Sequence, residues 1–180
     1  KQQGLLTLGI INTVGSTIPR ETKAGVYNHA GPEIAVASTN AFISQLTVFV
    51  LLTLLVGREK GMSQKEGIEI AEALESLPDV LAGILTQAGE IQSIAERFKD
   101  YSDAIFIGRK FHTPIAHEGS LKLKEVAYIH AEAYAGGELK HGPIAMLDEQ
   151  FPIIALVPHD DVYEKMISNI EEVKARKAPI

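Results

Sequence analysis

The stretch "AIFIGRK", residues 104 to 110, carries the strongest indication of the fold. It is a short apolar run that ends in a glycine-containing turn, which is typical of a parallel strand buried on both faces. Thr113 and Pro114 follow, and they suit the N-cap and the first position of a helix. A buried strand that leads through a turn into a helix is the repeating unit of parallel α/β sheets.

The same order recurs along the chain. Apolar runs bounded by turn residues predict further strands, and segments with helical periodicity separate them. The predicted strands cover 5–12, 24–31 and 151–158, with a short strand or loop at 129–134. The predicted helices cover 41–56, 63–87, 90–101, a segment from Thr113 to about Tyr128, and 160–176. This alternation predicts an α/β fold of the doubly wound class, a parallel sheet flanked by helices.

Composition restricts the possible classes of function. The 180 residues carry a net charge of −6, and 46% of them are hydrophobic, as in a soluble globular protein. An acidic chain without a Lys/Arg run is not expected to bind nucleic acid. The absence of cysteine excludes disulfides, thiolate zinc sites and a cysteine nucleophile, and it fits a cytoplasmic location.

The apolar segment 41–56 resembles a membrane span only superficially. It has 16 residues, includes four polar ones and falls short of the roughly 20 that a bilayer requires. We therefore expect no membrane partner, and a helix that is buried on nearly all sides or packed in a subunit interface. Ser38 or Thr39 is expected to cap it.

A stripe of charge on the helix after "AIFIG" is the first candidate site. At 100° per residue, Glu118, Lys122 and Glu125 share one helix face, whereas Lys124 points elsewhere. Two interpretations remain open: an exposed ion pair of little energetic value, or a general acid/base pair of Lys122 and Glu125. Ligands of such sheets bind at the carboxyl ends of the strands, so we expect the stripe at that edge.

A histidine loop favours the catalytic interpretation. His141 lies in "GELKHGP", among Gly136, Gly137 and Gly142, and is expected to return to the same sheet edge. Histidine titrates near neutral pH and suits proton transfer on a sugar. His112 and His117 lack a carboxylate at metal-ligand spacing, so no metal site is predicted.

Two further segments have both a binding and a structural interpretation. "GRK" at 108–110 precedes a helix N-terminus and could bind an anion. "VASTNAF" at 36–42 offers hydroxyls and free amides that suit a sugar or phosphate, although plain helix capping explains it equally well.

Three segments together resemble one family. "EIAVASTNAF" (33–42), "HEGSLKLKEVAYIHAEAYAGGELKHGP" (117–143) and "SNIEEVKAR" (168–176) are similar to the isomerase region of the glutamine–fructose-6-phosphate aminotransferases. That resemblance implies sugar isomerase (SIS) domains, each a parallel sheet flanked by helices. Residues 1–61 would be the C-terminal part of a first SIS domain, and residues 62–180 the N-terminal and central part of a second.

The resemblance also implies an activity and site residues. Such enzymes make glucosamine 6-phosphate from fructose 6-phosphate and glutamine, without a cofactor. Glu125 matches the residue that moves the proton between C1 and C2, and Lys122 matches the lysine that assists it. His141 matches the ring-opening histidine, which reaches the neighbouring subunit's site in a homodimer. Val36 and Ser38 match sugar-contacting positions.

Departures from the family pattern generate further expectations. Asn40 stands where the family usually has lysine, so a charge at that helix start is lost. The family's serine-rich phosphate loop would precede Lys1, its Schiff-base lysine would follow Ile180, and its glutaminase domain is absent. We therefore expect the 180 residues alone to catalyse nothing. The alternatives are a non-catalytic SIS module that senses a sugar phosphate, and another SIS isomerase or deglycase.

Overall fold

The computed structural model describes residues 3–180 and divides into two compact units, Lys1–Ala88 and Gly89–Ile180. In the first unit, β1 and β2 pair in parallel, with Leu8 opposite Ala24 and Ile11 opposite Tyr27. The elements of this unit are β1 (Leu8–Ile11), α1 (Thr17–Glu21), β2 (Ala24–Tyr27), α2 (Asn40–Glu59) and α3 (Gln64–Leu85). The short helix α1 lies between the two predicted strands, where no helix is predicted.

Helix α2 differs from its prediction in length and burial. It has 20 residues rather than 16, and within residues 3–180 it is the one helix long and apolar enough to cross a membrane by length and composition. Only 6% of its most apolar window is buried, and Leu55 is 63% exposed. The expectation of a helix buried on nearly all sides is therefore wrong for the described chain, and packing in a subunit interface stays a prediction.

The starts of α2 and α3 are stabilised in different ways. Ser63 and Glu66 form the capping box at the start of α3, because each side chain bonds the other residue's backbone N–H. Thr39 is the N-cap of α2 but makes no side-chain cap bond. Glu33 caps that helix instead, since its Oε1 accepts from the Ala41 N–H at 2.6 Å.

The second unit is built around a central strand. β3 (Asp103–Gly108) pairs in parallel with β4 (His130–Ala135) on one side and β5 (Ile153–Ala155) on the other, in the order β4-β3-β5. The helices of this unit are α4 (Ala88–Phe98), α5 (His112–Ala127) and α6 (Tyr163–Lys174). Two 3₁₀ turns, Leu139–His141 and Pro143–Met146, follow β4.

The core of this unit lies on one face of β3. Ile105 and Ile107 are completely buried, and they cluster with Leu139, Met166 and Val173 from the loop after β4 and from α6. The opposite face of the sheet receives α5, where Gly119 lies so close to the Phe106 ring that a Cβ would come within 2.8 Å of it. The predicted class, parallel sheets flanked by helices, is thus confirmed.

Two predicted details need correction or stay open. Helix α5 begins at His112 with Phe111 as N-cap, two residues before the predicted N-cap Thr113 and first helical residue Pro114. The predicted boundary between two SIS domains, at residues 61 and 62, stays a prediction. The compact units divide between Ala88 and Gly89, but that division reflects the contacts within each unit and does not test where one SIS domain ends.

The close approach of α5 to the sheet gives a stability prediction. Gly119→Ala should lower the free energy of unfolding by about 1–3 kcal/mol, because the new methyl group would clash with Phe106. Gly89→Ala in α4 is the matched control: its Cβ would meet open space, so helix propensity should stabilise it by up to about 1 kcal/mol. Urea denaturation followed by circular dichroism measures both, and equal effects would contradict the packing described.

Candidate active site

The charged stripe on α5 exists in the structure as a three-membered cluster. The Nζ atom of Lys122 lies 3.1 Å from Oε1 of Glu118 and 2.9 Å from Oε2 of Glu125. The three side chains are only 24%, 23% and 27% exposed, so the interpretation as a fully solvated surface ion pair does not fit. The prediction that these residues share one face is confirmed.

The cluster keeps Lys122 charged. The hydrogen bond to Glu125 is the largest cause that raises the pKa of Lys122 above 10.5, and Glu118 adds to it against the opposing effect of partial burial. A lysine whose pKa is raised is a cation at neutral pH and cannot serve as the base. Of the two groups, only the Glu125 carboxylate is chemically able to accept a proton, and Lys122 places positive charge 2.9 Å from it.

His141 ends the first 3₁₀ turn after β4. Its backbone N–H donates to the Glu138 carbonyl at 3.0 Å, and the residue is exposed. No hydrogen bond or ion pair of its ring is found within residues 3–180. The imidazole is thus free to contact a ligand or another chain.

The structure does not bring His141 and Glu125 to the same edge of the sheet. Helix α5 begins beside the end of β3 and runs back along the sheet, and Glu125 lies thirteen residues after His112, about 20 Å along the axis. The His141 loop follows the carboxyl end of β4, at the end of the sheet where α5 begins and away from Glu125. There the Gly136 N–H bonds the Gly108 carbonyl at 2.8 Å. The expectation of a common edge is wrong, because a helix of this length spans the whole strand.

The cations of "GRK" have partners within the protein. Arg109 donates through Nε to Oδ1 of Asn169 at 3.0 Å, and Lys110 forms an ion pair with Asp161. These contacts tie the turn after β3 to the residues after β5. They do not support the predicted anion site.

The predicted sugar-contacting segment lies in the first unit. Val36 is 89% exposed, and the Ser38 hydroxyl donates to Oε1 of Glu33 at 3.3 Å. The bond from the Ala41 N–H is the largest cause that lowers the pKa of Glu33. Sequence reasoning missed Glu33, which lies eight residues before Ala41 and outside the usual capping spacing.

Comparison with known families bears on the class of this site. Residues 98–180, which carry Glu125, Lys122 and His141, match the SIS domain.

Over its full length the chain is similar to glutamine–fructose-6-phosphate aminotransferase (isomerizing). It is 47% identical to the protein of that name from Chlorobaculum tepidum over 180 residues, and 49% identical to the one from Photorhabdus laumondii over 177 residues. The chain spans 29% of the length of each of these curated relatives.

A solved structure agrees with these relatives. The C-terminal domain of glucosamine-fructose-6-phosphate aminotransferase from Francisella tularensis superposes with a TM-score of 0.92 at 42% identity, over 95% of this chain and 49% of that one. Tagatose-6-phosphate ketose/aldose isomerase from Escherichia coli, at 14% identity and a TM-score of 0.65, shares the fold alone.

The charge cluster gives a prediction for pH titration. Glu125→Gln should lower the pKa of Lys122 more than Glu118→Gln does, because the bond to Glu125 is the larger cause of the raised value. Since folding raises this pKa, the charged lysine stabilises the fold fully below pH 10.5, and this contribution is lost as the pH rises through the folded value. NMR titration of the lysine side-chain nitrogens measures the shift. Equal shifts of the Lys122 pKa in the two variants would contradict the conclusion that the bond to Glu125 is the larger cause.

Proposed function

We propose that this chain is the isomerase segment of an enzyme that makes glucosamine 6-phosphate from fructose 6-phosphate and glutamine. The observation that carries the proposal is the half-buried cluster of Glu118, Lys122 and Glu125 on α5. It lies in a chain that is 47% identical to a glutamine–fructose-6-phosphate aminotransferase. The activity of the full-length gene product, its substrates and its partners form part of the proposal.

The proposed reaction is a proton shift between neighbouring carbons of the aminated sugar phosphate. The Glu125 carboxylate removes a proton from C1, the C1–H electron pair forms a C1=C2 double bond, and the nitrogen on C2 takes up a proton, which gives an enediol-type (enolamine) intermediate. The same group then returns its proton to C2, while the C1 hydroxyl loses its proton and becomes the carbonyl. C1 is thereby oxidised and C2 reduced, and no external electron acceptor is needed. The Lys122 ammonium, 2.9 Å from Glu125, stabilises negative charge on the sugar oxygens.

His141 is proposed to open the sugar ring in the site of a neighbouring copy. Its exposed imidazole and the roughly 20 Å between its edge of the sheet and Glu125 support this, because one chain does not bring the two groups together. A homodimer with two such shared sites satisfies the geometry, and a two-fold axis makes the exchange reciprocal.

The remaining parts of the proposal concern substrate contacts and location. We propose that the segment with Val36 and Ser38 contacts the sugar, with Glu33 holding the Ser38 hydroxyl. Asn40, the first residue of α2, leaves that helix start without the lysine expected there. A cytoplasmic location and the absence of nucleic-acid and membrane partners also belong to the proposal.

A second candidate is a non-catalytic SIS module that senses a sugar phosphate. Such a sensor needs to bind a phosphate and needs no acid/base pair, so the cluster on α5 favours the enzyme. A different SIS isomerase or deglycase would keep a similar loop, but the tagatose-6-phosphate isomerase is only 14% identical to this chain.

Proton transfer by Glu125 can be tested in the full-length gene product. Glu125→Gln should reduce glucosamine 6-phosphate formation by about a hundredfold or more while ammonia release from glutamine continues, because the amide cannot accept the proton. Lys122→Gln should also reduce it, whereas Lys124→Gln, an exposed lysine on the same helix, should not. Product detection by mass spectrometry measures all three. A sugar phosphate that binds without turnover would support the sensor instead.

The shared site can be tested by mixing two inactive variants. Glu125→Gln and His141→Asn subunits, unfolded and refolded together, should regain about a quarter of wild-type activity, since half of randomly mixed dimers are heterodimers and each has one intact site. A site built within one chain would stay inactive in the mixture. Each variant refolded alone provides the control.

A further inference from the structure

The loop Gly136–Gly142, called the histidine loop below, is attached to the core at one position. Leu139 is completely buried in the cluster that contains Met166 and Val173. Backbone bonds close the loop on itself, from the Glu138 N–H to the Ala135 carbonyl and from the His141 N–H to the Glu138 carbonyl. Buried Leu139 anchors the middle of the loop, but it does not determine the direction of His141 two residues later.

A line of polar contacts runs beneath this loop. Nε of Arg109 donates to Oδ1 of Asn169 at 3.0 Å, and Nδ2 of Asn169 donates to Oε2 of Glu172 at 3.2 Å. Nζ of Lys140 donates to Oε1 of Glu172 at 2.8 Å. These four residues, called the brace below, connect the turn after β3, helix α6 and the histidine loop.

Asn169 is the buried centre of the brace. It is 2% exposed, and a buried amide costs free energy unless both its oxygen and its nitrogen are hydrogen-bonded. Arg109 satisfies the oxygen and Glu172 the nitrogen. Because neither partner can move away without leaving a buried polar atom unpaired, the position of Glu172 on α6 is tightly constrained.

The loop backbone lies directly against the brace. A Cβ at Gly136 would come within 2.6 Å of Oδ1 of Asn169, and one at Gly137 would come within 3.4 Å of the Arg109 guanidinium. The contact at Gly136 leaves no room for a Cβ, so glycine there allows the loop to pack on Asn169. The contact at Gly137 is close to an ordinary van der Waals distance.

The ion pair of Lys140 and Glu172 completes the connection. Lys140 is 55% exposed, and such a pair adds little to global stability. The hydrogen bond from Lys140 is nevertheless the largest cause that lowers the pKa of Glu172, so the carboxylate stays ionised for its partner. Since Lys140 directly precedes His141, we expect this ion pair to affect the position of His141.

We infer that Arg109, Asn169, Glu172 and Lys140 form a brace that orients His141 toward its ligand, with Lys140 as the positioning residue. The inference rests on the proposed function, in which His141 acts on a sugar phosphate. The brace holds Lys140, the residue directly before His141, and the buried side chain of Leu139 holds the loop one residue earlier. Ring opening depends on the orientation of the imidazole, so a misplaced His141 slows turnover more than it weakens binding.

The test compares two lysine-to-methionine variants of the full-length gene product. Lys140→Met should lower kcat roughly tenfold with KM changed less than about twofold, because the loop is present but poorly oriented. Lys174→Met is the matched control: it removes an exposed ion pair with Glu171 within α6 that does not touch the loop, and both constants should stay near wild type. Lys140→Arg, which can still pair with Glu172, should restore most of kcat.

A double-variant cycle separates positioning from a general structural effect. If Lys140 acts through His141, Lys140→Met should cost nothing further in a His141→Asn background. The same loss of kcat in both backgrounds, or an equal loss in Lys174→Met, would overturn the inference while glucosamine 6-phosphate formation by the wild type still supports the proposed function.

Hydrogen exchange provides a readout that does not depend on the proposed reaction. The amides of the histidine loop should exchange about tenfold faster in Lys140→Met than in Lys174→Met, because the ion pair no longer restrains the loop. If the wild type turns over no sugar phosphate, the proposed function fails and the exchange rates still decide whether the brace restrains the loop. Unchanged exchange in Lys140→Met would overturn the brace itself.

Discussion

The parallel pairing of β3 with both β4 and β5 is the constraint on which the rest of the second unit depends. A central strand is hydrogen-bonded on both edges and covered on both faces, so Ile105 and Ile107 are completely buried. The chain therefore leaves β3 after Gly108 at the carboxyl end of the sheet. The start of α5 lies at that end, and so does Arg109, the next residue, which makes the first contact of the brace.

The direction of α5 determines how a site can be assembled. A helix that packs on a parallel sheet runs antiparallel to the strands, so residues in its last turns lie near the amino ends of those strands. Glu125 and Lys122 therefore lie far from the loop of His141 in the same chain, although both segments resemble one catalytic family. The proposed homodimer would remove this separation, because His141 of one copy could then act in the site that holds Glu125 of the other.

Local patterns were predictable from the sequence, and tertiary contacts were not. The charge stripe of Glu118, Lys122 and Glu125 and the capping box of Ser63 and Glu66 were predictable, because helix geometry alone relates residues three and four apart. The exposure of α2 was not, since burial depends on what packs against a helix. Arg109 and Asn169 are sixty residues apart, and no spacing rule connects them.

The sequence by itself therefore determined the α/β class, the residues that share a helix face and the family that the chain resembles, because hydrophobic periodicity and short motifs are written in consecutive residues. Only the tertiary structure decided that Glu125 and the loop of His141 lie at opposite ends of the sheet, that Glu33 caps α2, and that Lys140 is tied to Glu172. Each of these depends on distances between segments, and chain packing alone determines such distances.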